Sequence, residues 1–337
     1  MKKLLIIGCG SIGKRHLALF KKYYNFICVV DINKHRLLNV KKKFKVQKIY
    51  TNINQALREN LFETAIIATP PNSHLYFAKI CSKNMINIFI EKPLGMNVTG
   101  WKKISDICKK NKLINYVAYC CRYLPYSIKL KKLLKSKKFI GKVLSANLRY
   151  GQYLPDWHKW EKYYNFYMSK KSMGGGALLD ESHGIDLIRY LFGEVEEVFA
   201  MVDKISKLKI DSDDHAYLTL KMKNKSIIHL NFDLVSRIPR ANLEICGEKG
   251  NAYWDKINNV LSYHIKEKNI NKKINYKKSE AIKMYEIQAK EFVSVVRSKK
   301  RNIKRDFVTI LDAIKTQQII DKSFESSLKK KVIKLNA

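Results

Sequence analysis

The stretch Lys3-Leu-Leu-Ile-Ile-Gly-Cys-Gly-Ser-Ile-Gly-Lys14 decides the fold of the N-terminal half. Its apolar run reads as a buried strand ending in Gly8-x-Gly10-x-x-Gly13, where a helical segment begins. A second apolar run, Phe26-Ile-Cys-Val-Val30, delivers Asp31, 18 residues after Gly13 (31 − 13 = 18). Strand, glycine turn, helix, strand and acid in this order specify a dinucleotide-binding βαβ unit. Gly8 permits the tight turn, Gly10 lets the backbone approach a pyrophosphate, and Gly13 lets the helix lie close to the strand. Ser11 and Ile12 open that helix, whose N-terminal amides face the phosphates. Asp31 is placed to accept hydrogen bonds from the ribose hydroxyls and to repel a 2′-phosphate, which predicts NAD. The nearby Lys34 and Arg36 soften that preference and keep NADP as the alternative. A glycine triplet alone is weak, because turns collect glycine; the flanking strand and the acid make it specific.

Outward from this unit, buried-type strands at Thr64–Thr69, Ile86–Ile90 and Ile114–Tyr119, with a weaker strand signal near Lys48–Tyr50, alternate with helical segments such as Ser73–Lys83 and Asn97–Asn111. Continuous apolar strands between helices predict a parallel sheet covered on both faces. Ligands of such sheets sit beyond the carboxyl ends of the strands. Three of those ends are polar: Asp31, the run Thr69-Pro70-Pro71-Asn72-Ser73-His74, and Glu91-Lys92-Pro93. Thr69, Pro70, Asn72, His74, Glu91 and Lys92 are therefore candidates for cofactor contact.

After about residue 122 the period changes to two. Leu144, Ala146, Leu148 and Tyr150 share one face of Val143–Leu154, and Ala216–Met222 and Ile227–Val235 alternate likewise. The latter sets Ile228, Leu230, Phe232 and Leu234 against His229, Asn231, Asp233 and Val235. Short turns at Lys223–Lys225 and Gly247–Gly250 join such strands, so a mainly antiparallel sheet with one apolar face is expected. The chain is thus an α/β protein with a dinucleotide-binding domain over 1–121 and a second α/β domain over 122–337. Helical spacing returns at Tyr285, Ala289, Phe292 and Val296, and at Phe307, Leu311 and Ile314; Lys266–Lys278 reads as a flexible surface connection.

Composition bounds the partners. The 337 residues carry 66 Lys and Arg against 29 Asp and Glu, a net charge of +37. The lysines are dispersed, and Lys, Asn, Ile, Tyr and Phe are enriched together, as A/T-rich codon usage produces. With neither a clustered basic surface nor a nucleic-acid-binding module, no specific nucleic-acid partner is expected. The seven cysteines include the adjacent Cys120 and Cys121 but no Cys-x-x-Cys. Reduced thiols, no metal and a cytoplasmic setting follow. The apolar run Leu4–Ile7 is shorter than the roughly 7–15 residues of a signal h-region, and no segment approaches the ~18 of a membrane span.

Two segments carry chemistry. Lys92, at the end of a core strand, suits polarisation of a substrate hydroxyl or carbonyl, and Pro93 would fix the backbone that aims it. Glu91–Lys92 as a mere surface ion pair is the plain alternative. The second segment is Gly174-Gly-Gly-Ala-Leu-Leu-Asp-Glu-Ser-His-Gly-Ile-Asp186. Its glycines permit close backbone approach to a ligand. Asp180, His183 and Asp186 recur every three residues and form one polar helix stripe, while Leu187, Ile188 and Leu191 anchor the helix. An imidazole between carboxylates suits proton transfer near neutral pH.

These motifs resemble the Gfo/Idh/MocA family of NAD(P)-dependent oxidoreductases over essentially the whole chain. The resemblance rests on Gly8-Cys-Gly-Ser-Ile-Gly-Lys-Arg-His16, Ala68-Thr-Pro-Pro-Asn-Ser-His74, Glu91-Lys-Pro93, the glycine–histidine–aspartate segment and Gly247-Glu-Lys-Gly250. Tyr119-Cys-Cys-Arg-Tyr-Leu-Pro125 and Gly151-Gln-Tyr-Leu-Pro-Asp-Trp157 look like a branch linked with cell-surface sugar biosynthesis. The resemblance implies a Rossmann domain followed by an α/β domain with an open antiparallel sheet, and hydride transfer at a sugar or cyclitol carbon. It makes Lys92 the catalytic lysine, His183 the acid/base, and Asp186 the acid three residues after that histidine. The common pattern has an Asp four residues before the histidine; here Leu179 stands there and Asp180 lies three before. Arg122, Tyr153, Asp156, Trp157 and His158 are the candidate substrate-lining residues, with Arg122 also near the cofactor. A non-catalytic dinucleotide sensor is the competing class, and a binder needs neither Lys92 nor His183. The mixed outer sheet face bearing Tyr217, Thr219, Lys221, His229, Asn231, Asp233 and Val235 suits a contact between identical subunits, so a homodimer or homotetramer is expected.

Overall fold

The structure, a computed structural model, describes residues 2–136, 138–157, 161–298 and 306–335. The chain divides into two compact units, Met1–Tyr119 with Tyr285–Ile314, and Cys120–Met284 with Lys315–Ala337. These differ from a single cut after residue 121 in the return of Tyr285–Ile314 to the first unit. The reason is aromatic packing: Phe292 lies edge-on to Phe20 and Phe89, and Phe307 packs on Tyr116.

The first unit alternates β1 (Lys3–Ile7), α1 (Ser11–Phe20), β2 (Phe26–Val30), α2 (Lys34–Phe44), β3 (Lys48–Tyr50), α3 (Ile53–Glu59), β4 (Thr64–Ile67), α4 (His74–Lys83), β5 (Asn87–Ile90), α5 (Trp101–Lys110) and β6 (Asn115–Val117). Its parallel strands are ordered β3-β2-β1-β4-β5-β6. This is the doubly wound order in which β1 and β4 flank the switch point, so the ends of β1, β2, β4 and β5 are where a ligand belongs. Leu4, Leu5, Ile6 and Ile7 are all buried, as a sheet covered on both faces requires. Asp31 and Glu91 directly follow β2 and β5, and Thr69 lies two residues beyond β4.

The second unit contains α6 (Pro125–Leu134), β7 (Val143–Gly151), α7 (Ala177–Asp180), α8 (Ser182–Phe192), β8 (Val195–Asp203), β9 (His215–Met222), β10 (Ile227–Asp233), β11 (Arg240–Gly247), β12 (Gly250–Asp255), β13 (Val260–Ile265), β14 (Ile270–Asn275) and α9 (Lys278–Ile282). The chain continues through α10 (Met284–Ser298), α11 (Ile310–Lys329) and β15 (Ile333–Lys334). The sheet order is β14-β13-β12-β11-β7-β10-β9-β8-β15, antiparallel except where β7 meets β10. One face is apolar: Ala146, Leu148, Leu218, Leu230, Phe232 and Leu243 are buried. Gly184 seats α8 there, for a Cβ on it would lie 2.8 Å from both Leu148 Cδ2 and Phe232 Cε1.

Four local expectations differ. Lys266–Lys278 is no free connection: β14 pairs with β13 along its length. An edge strand needs only backbone partners on one side, and its lysines protect the exposed edge. Leu144 is exposed at the start of β7, outside the covered part of the apolar face. Leu311, in the first turn of α11, is exposed as well. Asp233 is buried instead of facing outward, because its carboxylate accepts from the amides of Val235 and Ser236 and from the Ser236 hydroxyl. No helix among the described residues is long and apolar enough to cross a membrane.

Candidate functional site

The β1–α1 turn has the form of a phosphate cradle. A Cβ on Gly8, whose φ is +90°, would stand 2.5 Å from the Ala68 carbonyl oxygen, and one on Gly13 would stand 2.1 Å from the Gly8 oxygen. Both positions thus need glycine for packing against the protein itself. A Cβ on Gly10 would meet nothing within 4 Å, so this residue borders open space. Ser11 and Ile12 follow it at the start of α1, whose N-terminus has no side-chain cap and no acid in its first turn. Amides of a first turn lack intrahelical acceptors, so an anion is the natural cap. Asp31, at the end of β2, accepts from the amides of Cys9 and Asn33, both at 2.8 Å. Those two bonds use about half of a carboxylate's roughly four acceptor positions. A dinucleotide fits these residues: uncapped amides and open space at Gly10 for the pyrophosphate, and remaining acceptor capacity at Asp31 for ribose hydroxyls.

The turns after β4 and β5 are tied together. His74 is fully buried, with Nδ1 3.0 Å from the Pro93 oxygen and Nε2 2.7 Å from the Thr69 oxygen. Burial pushes its pKa below the ordinary value, and the two carbonyls oppose that shift. The Ser73 hydroxyl donates to Thr69 Oγ1 and the Pro70 oxygen, while Asn72 is exposed. Buried Glu91 lies 2.5 Å through Oε1 from Nε2 of His16, on α1. Its other oxygen accepts from the Lys92 amide at 3.2 Å, and the Lys92–Pro93 peptide is cis. Lys92, half-buried, therefore sits between two clamped neighbours, Glu91 held by His16 and Pro93 held by His74.

In the second unit the expected single helix is broken at Glu181, with Asp180 ending α7 and His183 and Asp186 on α8. Asp186 is fully buried and accepts Arg122 Nε at 2.8 Å and Nη2 at 2.6 Å. The Arg122 guanidinium also lies over the Tyr190 ring. Asp180 accepts from the Tyr167 hydroxyl at 3.1 Å. The glycine run serves internal packing: a Cβ on Gly175 would lie 2.3 Å from the Met168 oxygen, and one on Gly176 2.1 Å from Asp213 Oδ1. Burial raises Asp213 to about 6, against its bonds from the amides of Leu178 and Ala177.

His183 Nε2 lies 4.0 Å from Cys120 Sγ, with Cys121 beside them. The hydrogen bond from Cys120 holds the Cys121 thiol well below its ordinary value, aided by His183 and Lys256 and opposed by burial. Burial instead pushes Cys9, Cys28 and Cys81 up to about 12 and Cys108 to about 11. Among the substrate candidates, Tyr153 is covered by Arg237, whose guanidinium carbon is 3.6 Å from the ring centre. Asp156 is exposed, and Trp157 Nε1 is a buried donor with no partner among the described residues. His158 lies outside the described residues. The sequence motifs contain His16, Cys120 and Cys121 without giving them a role, and Asp213 lies in none of them. His16 was visible only as three residues beyond Gly13, and the others depend on contacts distant in sequence.

Residues 2–119 match the model described as "Oxidoreductase family, NAD-binding Rossmann fold", and residues 128–253 that described as "GFO/IDH/MocA C-terminal domain". An oxidoreductase from Formosa agariphila is 30% identical over 197 residues, which is 57% of this chain and 61% of that relative's length. Myo-inositol 2-dehydrogenase from Thermotoga maritima is 26% identical over 268 residues, 75% of each chain. Among solved structures, levoglucosan dehydrogenase with NADH and levoglucosan superposes with TM-score 0.84 at 19% identity over 100% of both chains. The WlbA dehydrogenase from Bordetella pertussis, with NADH and UDP-GlcNAcA, gives 0.82 at 16%, over 100% of this chain and 99% of that one. The chain belongs to the Gfo/Idh/MocA family of oxidoreductases, with an NAD-binding Rossmann domain at its N-terminal end.

Proposed function

We propose that this protein is an NAD-dependent dehydrogenase or reductase acting on a secondary alcohol or ketone of a sugar, nucleotide sugar or cyclitol. The observation that carries the reading is the doubly clamped Lys92 at the carboxyl end of β5, in a sheet of dinucleotide-binding order. A structural lysine needs no such fixation; one that must aim an ammonium at a reacting oxygen does. Gly10, Ser11 and Ile12 would hold the pyrophosphate and Asp31 the ribose. Bound NAD supplies the hydride acceptor. Lys92 would donate a hydrogen bond to the substrate oxygen and stabilise charge developing on it. His183 would take the hydroxyl proton at Nε2 in oxidation and return it in reduction. Asp186 then acts through Arg122 and α8 as a positioning group. Tyr153, Asp156, Trp157 and His158 would meet the sugar, and the relatives named for inositol and levoglucosan support that substrate class.

The test is a panel of cyclitols, sugars and nucleotide sugars with NAD, and of the matching ketones with NADH, followed by nicotinamide absorbance. Turnover with one member is expected. Tight NAD binding without hydride exchange, across a panel that includes ligands shown to bind, would establish a sensor instead.

A further inference from the structure

We propose that Cys120, Cys121 and His183 form a site for one thiophilic divalent cation of the zinc class. Cys120 and Cys121 are both buried, His183 is half-buried, and one donor atom of each lies within 4.8 Å of the other two. Tetrahedral zinc with bonds of about 2.3 Å to sulfur and about 2.0–2.1 Å to nitrogen separates sulfur from sulfur by about 3.8 Å and sulfur from nitrogen by about 3.6 Å. The observed 4.0 Å between Cys120 Sγ and His183 Nε2 is within a few tenths of an ångström of that requirement. Two local features pre-form the donor triangle. The short helical turn Cys120–Tyr123 is anchored to α8 by the Arg122–Asp186 pair, two residues after Cys120 and three after His183. Gly184, next to His183, fixes the height of α8 on the sheet.

Two sulfurs and one imidazole nitrogen favour zinc or cadmium over magnesium or calcium. Three protein ligands leave a fourth position for water or a small ligand, the arrangement of open zinc sites. The spacing escapes sequence inspection because the two thiols are adjacent and the imidazole is 63 positions away. Occupancy takes Nε2, the atom assigned the proton above. On that reading of His183, and only on it, the metal-loaded protein is inactive.

The experiment titrates the reduced, metal-free full chain with Cd²⁺, following the sulfur-to-cadmium charge-transfer absorbance, and then displaces Cd²⁺ with Zn²⁺. One Cd²⁺ per chain is expected. Cys120→Ser and Cys121→Ser should each weaken binding by more than the roughly 10–100-fold that losing an outer-shell partner costs. His183→Gln should weaken it while keeping the band, and Cys246→Ser, at the one exposed cysteine, should change nothing. Circular dichroism confirms that each variant is folded. Absence of binding overturns the proposal, as does Cd²⁺ affinity unchanged in both single variants or lost with Cys246→Ser. Loaded protein that turns over a substrate shows that Nε2 is not both ligand and acid/base, and unchanged Cd²⁺ affinity in His183→Gln then overturns the ligand assignment, whereas an apo-protein without activity, still binding Cd²⁺ as described, counts against the dehydrogenase reading alone.

Discussion

Gly10 and Gly13 look alike in the sequence and answer to different demands. A Cβ on Gly13 would collide with the Gly8 carbonyl, whereas one on Gly10 would enter open space. Gly10→Ala is therefore expected to leave the unliganded protein within about 0.5 kcal/mol of wild type in denaturant while sharply weakening NAD in calorimetry. Unchanged NAD affinity would remove the pyrophosphate from this turn. Asp31→Ser should lose NAD affinity and narrow the NAD-over-NADP preference; a wild-type protein that prefers NADP would contradict the assignment. Asp213 governs a pH effect. Its folded pKa of about 6 exceeds the ordinary 3.8, so between about pH 4 and 6 the folded state holds more protons than the unfolded chain. Stability must then fall as pH rises through that window, and the penalty is complete above it. The shift corresponds to about 2 kcal/mol once the solvent reaching this half-buried carboxyl is counted. Melting of Asp213→Asn beside wild type should show the variant gaining from pH 4 to 7; a constant difference would refute this. Glycine spacing and Asp31 were legible because their chemistry is local, whereas Asp213 was not, because its partners at 176–178 are brought to it only by folding.

At the scale of elements, a buried bidentate ion pair, Arg122–Asp186, joins the turn at Cys120–Tyr123 to α8. Asp186→Ala removes the carboxylate that faces the buried Arg122 guanidinium, a cost of about 3–5 kcal/mol. Chemical denaturation that finds less than about 1 kcal/mol would show the pair to be dispensable. Arg122→Lys should recover only part, since an ammonium cannot reproduce the planar fork. The pair spans 64 positions, which is why Asp186 looked like a member of a polar stripe with His183 and Asp180. Apart from β3, the parallel strands were readable to within about two residues at each end, since a strand buried on both faces is a continuous apolar run. β14 was not, because an exposed edge strand is specified by its neighbour's backbone and carries no apolar pattern.

For the whole molecule, the outer face of the second sheet sets exposed Met201 opposite Tyr217, which is opposite Asn231, with exposed Phe199 in the next row. Exposed apolar groups amid hydrogen-bonding ones suit a contact between copies, and we expect a homodimer or homotetramer; light scattering giving 39.4 kDa at micromolar concentration would contradict it. The charge of +37 should produce only nonspecific DNA binding that fades by about 200 mM salt. The family and the dinucleotide fold follow from local motifs, but the substrate is set by side chains on loops that no periodicity encodes. The central claim is that Lys92 and His183 perform the chemistry that the cofactor cradle serves. It is tested most directly by single-turnover hydride transfer, on a substrate the wild type uses, in Lys92→Ala and His183→Ala proteins saturated with NAD. The account predicts a fall of roughly 10²–10⁴-fold in each with NAD affinity retained; wild-type rates in both variants would contradict it.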